Sequence, residues 1–180
     1  MSKRVLVVDD EEDMRSFFSS ILREQGFDVL LAADGDEGLK KIKDEKPDLV
    51  VLDIMMPKRG GISVLIEMRK DPAVRKTPVI MLGAIQNFIT HAHEEMDDVT
   101  SLRGIETLLG DPESKVSRFF LKFRTFRKIL LVDREALVEK FRKQDMGGAP
   151  ALPNMFMDKP IDPDAFSQAV SHLLSPGRET

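Results

Sequence analysis

The chain contains no cysteine, so disulfides and thiolate metal sites are excluded and any bound metal must take oxygen or imidazole ligands. It also lacks an apolar run approaching the ~20 residues that span a bilayer. Residues 1–4 lead straight into an apolar, strand-like run, without the charged, apolar and small-residue regions of a secretory leader. With neither leader nor span, the expected location is the cytoplasm. An excess of positive charge is missing too: the formal net charge is -4 and the pI near 5.5, which argues against nucleic acid as a partner. What is present is 180 residues, 42% hydrophobic and 32% charged. That is an ordinary globular composition with material for one core and an embellishment, not for two full domains.

Apolar runs rich in β-branched residues occur at residues 5–8, 29–33, 49–52 and 79–82, each suited to a strand buried on both faces of a parallel sheet. Between them, residues 13–25, 37–44 and 62–70 place apolar side chains at helical spacing. Near the end, residues 155–157 predict a short strand and 163–174 a closing helix. Strand and helix alternating at this pitch imply a doubly wound α/β fold with a five-stranded parallel sheet and right-handed crossovers. Too few residues follow position 175 for a further domain, so no separate output domain is expected.

Residues 85–154 are far more than a crossover needs and predict a helical insertion, leaving residues 1–84 and 155–176 as the main domain. The first part of this stretch is acidic (Glu94, Glu95, Asp97, Asp98 and Glu106 against Arg103), whereas residues 113–145 carry ten Lys and Arg against five Asp and Glu. Within the basic part, Phe119, Phe120, Phe123, Phe126, Ile129 and Leu130 form an apolar stripe. Three readings of the stripe stand: a helical hairpin packing on itself or the sheet, a docking or dimerisation surface, and a nucleic-acid or membrane contact that the acidic neighbour disfavours. His91 and His93 among these acids are read as a solvated face, not a metal site. The segment KILLVD at residues 128–133 echoes the first strand, and the echo is taken as chance.

In open parallel sheets ligands bind beyond the carboxyl ends of the strands, where strand order reverses. Asp9 and Asp10 end the first strand, Asp53 ends the third, and Lys159 follows the last. Three converging carboxylates cannot all stay ionised without a hard cation between them, and with oxygen ligands alone Mg²⁺ is favoured.

The motifs VLVVDDE at residues 5–11, PDLVVLDIMMP at 47–57, DPAVRKTPVIML at 71–82 and DKP at 158–160 occur in this order. With them the chain resembles the response-regulator receiver family over residues 3–82 and 155–174, and the resemblance implies the flavodoxin-like receiver fold. It implies that Asp53 accepts a phosphoryl group from a phosphohistidine. Asp10 would bind Mg²⁺ directly, Asp9 directly or through water, and the backbone carbonyl of Met55 would add a ligand. Lys159 would pair with the phosphoryl oxygens as a compact point charge. Self-dephosphorylation is the only further chemistry implied, so the chain is not read as an enzyme.

At the end of the fourth strand the family carries Ser or Thr, whose hydroxyl bonds the phosphoryl group; here the residue is Gly83. Ala84 fits the small residue that follows, and Phe156 fits the aromatic switch position. Losing a hydrogen bond to a charged group, roughly 1.5–3 kcal/mol, would weaken the switch about ten- to hundredfold, and threonine at position 83 is expected to restore it. Gly60 and Gly61 are read as supplying permissive dihedrals after the third strand.

The leading expectation is a stand-alone receiver in a two-component phosphorelay. Its expected partners are a sensor histidine kinase or phosphotransfer protein, a downstream protein target and, through the insertion, a second copy as a homodimer. The alternative is a pseudo-receiver that works as a constitutive interaction module.

Overall fold

The computed structural model describes residues 2–83, the backbone of residues 129–131, and residues 153–175. Its elements run β1 (Arg4–Val8), α1 (Glu12–Glu24), β2 (Asp28–Ala32), α2 (Gly35–Glu45), β3 (Leu49–Asp53), α3 (Gly61–Lys70), β4 (Val79–Leu82), β5 (Ile129–Leu131), β6 (Met155–Met157) and α4 (Pro163–Leu174). The sheet order is β2-β1-β3-β4-β6-β5. The first five strands in that order pair in parallel, as expected. The sixth, β5, pairs antiparallel with β6 through Ile129↔Met157, Leu130↔Phe156 and Leu131↔Met155. Within the KILLVD segment, taken from the sequence as a chance echo, Ile129–Leu131 form a strand that extends the sheet at the edge next to β6. The rest of the expected insertion lies outside the described residues.

Alternation along each central strand sends side chains to two separate cores. Leu6, Val8, Val50, Leu52 and Met81 pack with Ile42, Leu65 and Met68 of α2 and α3. Val5, Val7, Val51, Ile80 and Leu82 pack on the other face with Phe18 and Leu22 of α1 and Phe166 and Val170 of α4. Burial on both faces explains why these strands read as unbroken apolar runs. Two helices carry side-chain caps, Asp34 accepting from the Glu37 N–H and Asp162 from the Ala165 N–H, with Pro163 inside the first turn of α4.

The outer edge of β2 is closed by side chains. The backbone bonds from Asp28 N–H to Lys3 and from Asp9 N–H to Ala32 turn residues 28, 30 and 32 toward β1, so the groups of residues 31 and 33 face outward. Glu37 accepts the Ala33 N–H at 2.8 Å and pairs with Lys41 at 2.7 Å, while Lys41 donates to the Leu31 carbonyl. A helix thus supplies the donor and acceptor that a further strand would have brought, which blunts edge-to-edge association.

At the opposite side Asn154 sets the register of β6. Its N–H donates to the Val79 carbonyl at 2.9 Å, and its Oδ1 accepts from the Val79 N–H at 3.0 Å and from Arg69 at 3.3 Å. Arg69 also donates to the carbonyls of Arg75 and Thr77, tying α3 to the turn before β4.

Candidate functional site

Because β1, β3 and β6 are parallel, their carboxyl ends lie along one rim of the sheet, and strand order reverses on either side of β1. Asp53 is the last residue of β3 and is 4% exposed; Asp9, just past β1, is 0% exposed. Asp10 beside it faces solvent. One carboxylate oxygen from each of the three lies within 4.8 Å of the others. Lys159 reaches over from the loop after β6, its Nζ 3.0 Å from Asp53 and 3.3 Å from Asp9. The four residues singled out by their strand-end positions thus meet in one crevice.

Burial pushes the pKa of Asp53 up to about 6; the hydrogen bond and charge of Lys159 oppose this, and the charges of Asp9 and Asp10 add to it. For Lys159, burial works against the charged form, but the hydrogen bond to Asp53 and the charges of Asp53 and Asp9 together outweigh it and raise its pKa. Two carboxylates this buried, with a third beside them and one ammonium among them, leave excess negative charge on hard oxygen donors. That donor set fits Mg²⁺, with Asp9, Asp10 and Asp53 as the residues that would hold it. Met55, two residues beyond Asp53, is 53% exposed.

Other residues of the site were not legible as such in the sequence. Arg15 of α1 donates to the backbone carbonyls of both Asp9 and Asp10 at 2.8 Å, clamping the turn that carries them. The Glu11 N–H donates to Asp9 at 2.9 Å, and its carboxylate lies 3.8 Å from Lys159. A lone arginine near the start of a helix whose first turn holds Glu12 and Asp13 was the available signal for Arg15.

The glycine readings change. Gly60 has φ -66 and Gly61 is not among the positive-φ residues, whereas Lys58 is, at φ 66. What Gly61 supplies is space: a Cβ there would sit 2.0 Å from the Asp53 carbonyl oxygen. Gly83 does need its conformation. Its φ is 128, and an added Cβ would meet Ile54 at 3.1 Å, while its N–H donates to the Met157 carbonyl. Threonine at 83 is therefore not a simple restoration of a switch: Gly83→Thr should lower stability by about 1–3 kcal/mol, read as a shifted urea midpoint. An unshifted midpoint would show that this backbone relaxes freely. Phe156 is buried at 3% in the α2–α3 core; Ala84 lies outside the described residues.

Fold and site together define a doubly wound α/β module with an acidic crevice at the carboxyl ends of its strands, and comparison with known proteins gives the family. The model of the response regulator receiver domain matches residues 5–110, and the chain belongs to that family. The match contains Asp9, Asp10 and Asp53; it is the sheet that brings Lys159 to them. A curated relative is the alkaline phosphatase synthesis transcriptional regulatory protein PhoP of Bacillus subtilis, 43% identical over 115 residues, covering 63% of this chain and 44% of that protein. Another is the DNA-binding response regulator MtrA of Mycolicibacterium smegmatis, 39% identical over 84 residues, covering 47% of this chain and 36% of that one. The chain therefore spans less than half the length of these relatives. Among solved structures, the Francisella response regulator 1452 receiver domain aligns with TM-score 0.56 at 24% identity, covering 96% of each chain. The receiver domain of the sensor histidine kinase PA1611 from Pseudomonas aeruginosa, whose structure has a magnesium ion coordinated in the active site cleft, aligns at TM-score 0.55 and 17% identity over 96% of this chain and 98% of that one. These two share the fold. Relatives named as transcriptional and DNA-binding regulators give no support to the expectation that nucleic acid is an improbable partner. Among the described residues no helix is long and apolar enough to cross a membrane.

Proposed function

We propose that this receiver accepts a phosphoryl group on Asp53 from the phosphohistidine of a sensor histidine kinase or phosphotransfer protein and signals in the cytoplasm by protein contact. The observation that carries the reading is the buried Asp53 carboxylate, 3.0 Å from Lys159 and within 4.8 Å of Asp9 and Asp10 oxygens at the reversal of strand order. An Asp53 oxygen attacks phosphorus as the bond to the imidazole nitrogen breaks, and the departing imidazole keeps the electron pair. Lys159, held by Asp9 as well as Asp53, is placed to neutralise oxygens of the transferred group. Mg²⁺, when bound by the three carboxylates and the Met55 carbonyl, would supply the remaining charge neutralisation. Attack of water on the phosphoaspartate reverses the state.

The absent hydroxyl at Gly83 favours a second reading, a pseudo-receiver that acts as a constitutive interaction or dimerisation module. One experiment separates them. After acetyl phosphate and Mg²⁺ treatment, intact-mass analysis should show a single phosphoryl adduct that Asp53→Asn lacks. No adduct on the natural chain would favour the pseudo-receiver, and an undiminished adduct in Asp53→Asn would move the acceptor elsewhere. Signalling by the receiver alone and signalling through a further domain, as the longer relatives suggest, both begin with this step.

A further inference from the structure

The loop between β3 and α3, residues 54–60, leaves directly from Asp53 and carries Met55. At its root the Ile54 N–H donates to the Leu82 carbonyl and the Gly61 N–H to the Ile54 carbonyl, both at 3.0 Å. These bonds hold its two ends. Its tip is held by different groups. Arg59 Nε pairs with Asp36 at 2.7 Å, and Lys58 Nζ pairs with Asp34, so two consecutive cations of the loop meet two acids at the start of α2. The backbones also touch there: a Cβ on Gly35 would lie 2.1 Å from the Arg59 carbonyl oxygen and 2.9 Å from the Arg59 Cβ. Lys58 sits at φ 66, a left-handed conformation that lysine rarely adopts. A strained residue persists where its surroundings over-determine it, and here the constraint is the docking of the tip on α2.

We propose that Lys58 and Arg59 are positioning residues for the phosphoacceptor site: by fastening the loop tip to the first turn of α2 they hold residues 54–56, with the Met55 carbonyl, beside Asp53. This rests on the reading of Asp53 as phosphoacceptor and of Met55 as a metal ligand. Neither cation touches the reacting atoms. Both act through three or four peptide units of a loop already fixed at its root, so loosening the tip widens the range of Met55 and leaves the carboxylates in place. Exposed ion pairs are individually weak. Two of them acting with one backbone contact should therefore change metal affinity about three- to tenfold.

The test is a Mg²⁺ titration of the full chain, followed by intact-mass kinetics with acetyl phosphate, on the natural sequence, on Lys58→Gln with Arg59→Gln, and on the exchanged pair Arg59→Asp with Asp36→Arg. Asp34 is left untouched because it caps α2. In the double glutamine variant, Mg²⁺ affinity should fall about three- to tenfold. The adduct rate at saturating Mg²⁺ and the urea midpoint should stay near those of the natural chain, and the exchanged pair should recover most of the lost affinity. Unchanged affinity in the double variant, or a loss that saturating Mg²⁺ does not repair, would overturn the positioning role. Failure of the phosphoacceptor reading looks different: the natural chain then takes no adduct at any Mg²⁺ concentration, and the inference falls with it.

Discussion

Lys159→Met is expected to destabilise the metal-free protein by about 2–4 kcal/mol near pH 7.5, because it strands two buried carboxylates without their counter-charge. The loss should shrink near pH 5. Asp53 already has its pKa pushed up to about 6 with the lysine in place; without it the value rises further, and protonation becomes the cheaper relief. A carboxyl whose folded-state pKa lies above the unfolded one contributes stability that is fully present below about pH 3.8 and is lost as pH rises through the folded value. Removing Lys159 extends the upper end of that window. Urea unfolding at the two pH values, with and without Mg²⁺, measures this, and added Mg²⁺ should restore part of the loss. Phosphoryl-adduct formation should fall about a hundredfold, the usual scale for deleting one donor to a transferring group. An equal stability loss at both pH values would mean that Lys159 contributes packing alone.

Gly61→Ala should unfold about 3 kcal/mol more easily and phosphorylate poorly even where it remains folded. The new methyl would lie 2.0 Å from the Asp53 carbonyl oxygen, 2.9 Å from its carbonyl carbon and 3.2 Å from the Ile54 Cα. All three are backbone atoms at the end of a central strand, so relief must displace the strand end on which the phosphoacceptor sits. Gly26 provides the contrast. It has φ 82 with no atom within 4 Å of an added Cβ, so Gly26→Ala should cost only the left-handed backbone penalty of about 1–2 kcal/mol and leave the adduct rate unchanged. Thermal or urea unfolding of both variants, paired with intact-mass kinetics, compares them directly. Equal losses in the two, with phosphorylation intact in both, would contradict a site built on the absence of a side chain at position 61.

The contrast between these glycines shows where reading the chain succeeds and where it stops. The runs in β1, β3 and β4 were legible because strands covered on both faces need nothing but apolar residues, and the acids Asp9, Asp10 and Asp53 stood out because each interrupts such a run or ends it. Lys159 could be joined to them only by topology: it is 150 residues along the chain from Asp9, yet parallel strands return every carboxyl end to the same rim. Features that depend on how two segments approach were not legible. Gly61 and Gly60 look alike in sequence, and nothing in it says that Gly61 lies against the Asp53 carbonyl. Gly83 resembles a simple loss of a hydroxyl until its φ of 128 is known. The strand at Ile129–Leu131 was passed over because three residues carry too little periodicity to distinguish an edge strand from a helical segment. Nothing in the sequence singles out Lys58 and Arg59, because their acidic partners belong to a different crossover.

Asn154 bears on how this chain tolerates change. Its side chain and its own N–H take up both backbone groups of Val79, so the start of β6 is pinned to the start of β4 at a single point. Lys159 leaves β6 just beyond its last residue, and β4 lies between β6 and β3. The reach of the lysine to Asp53 therefore depends on a one-residue clasp at the far end of the strand, and a substitution at Asn154 acts on the chemistry from a distance.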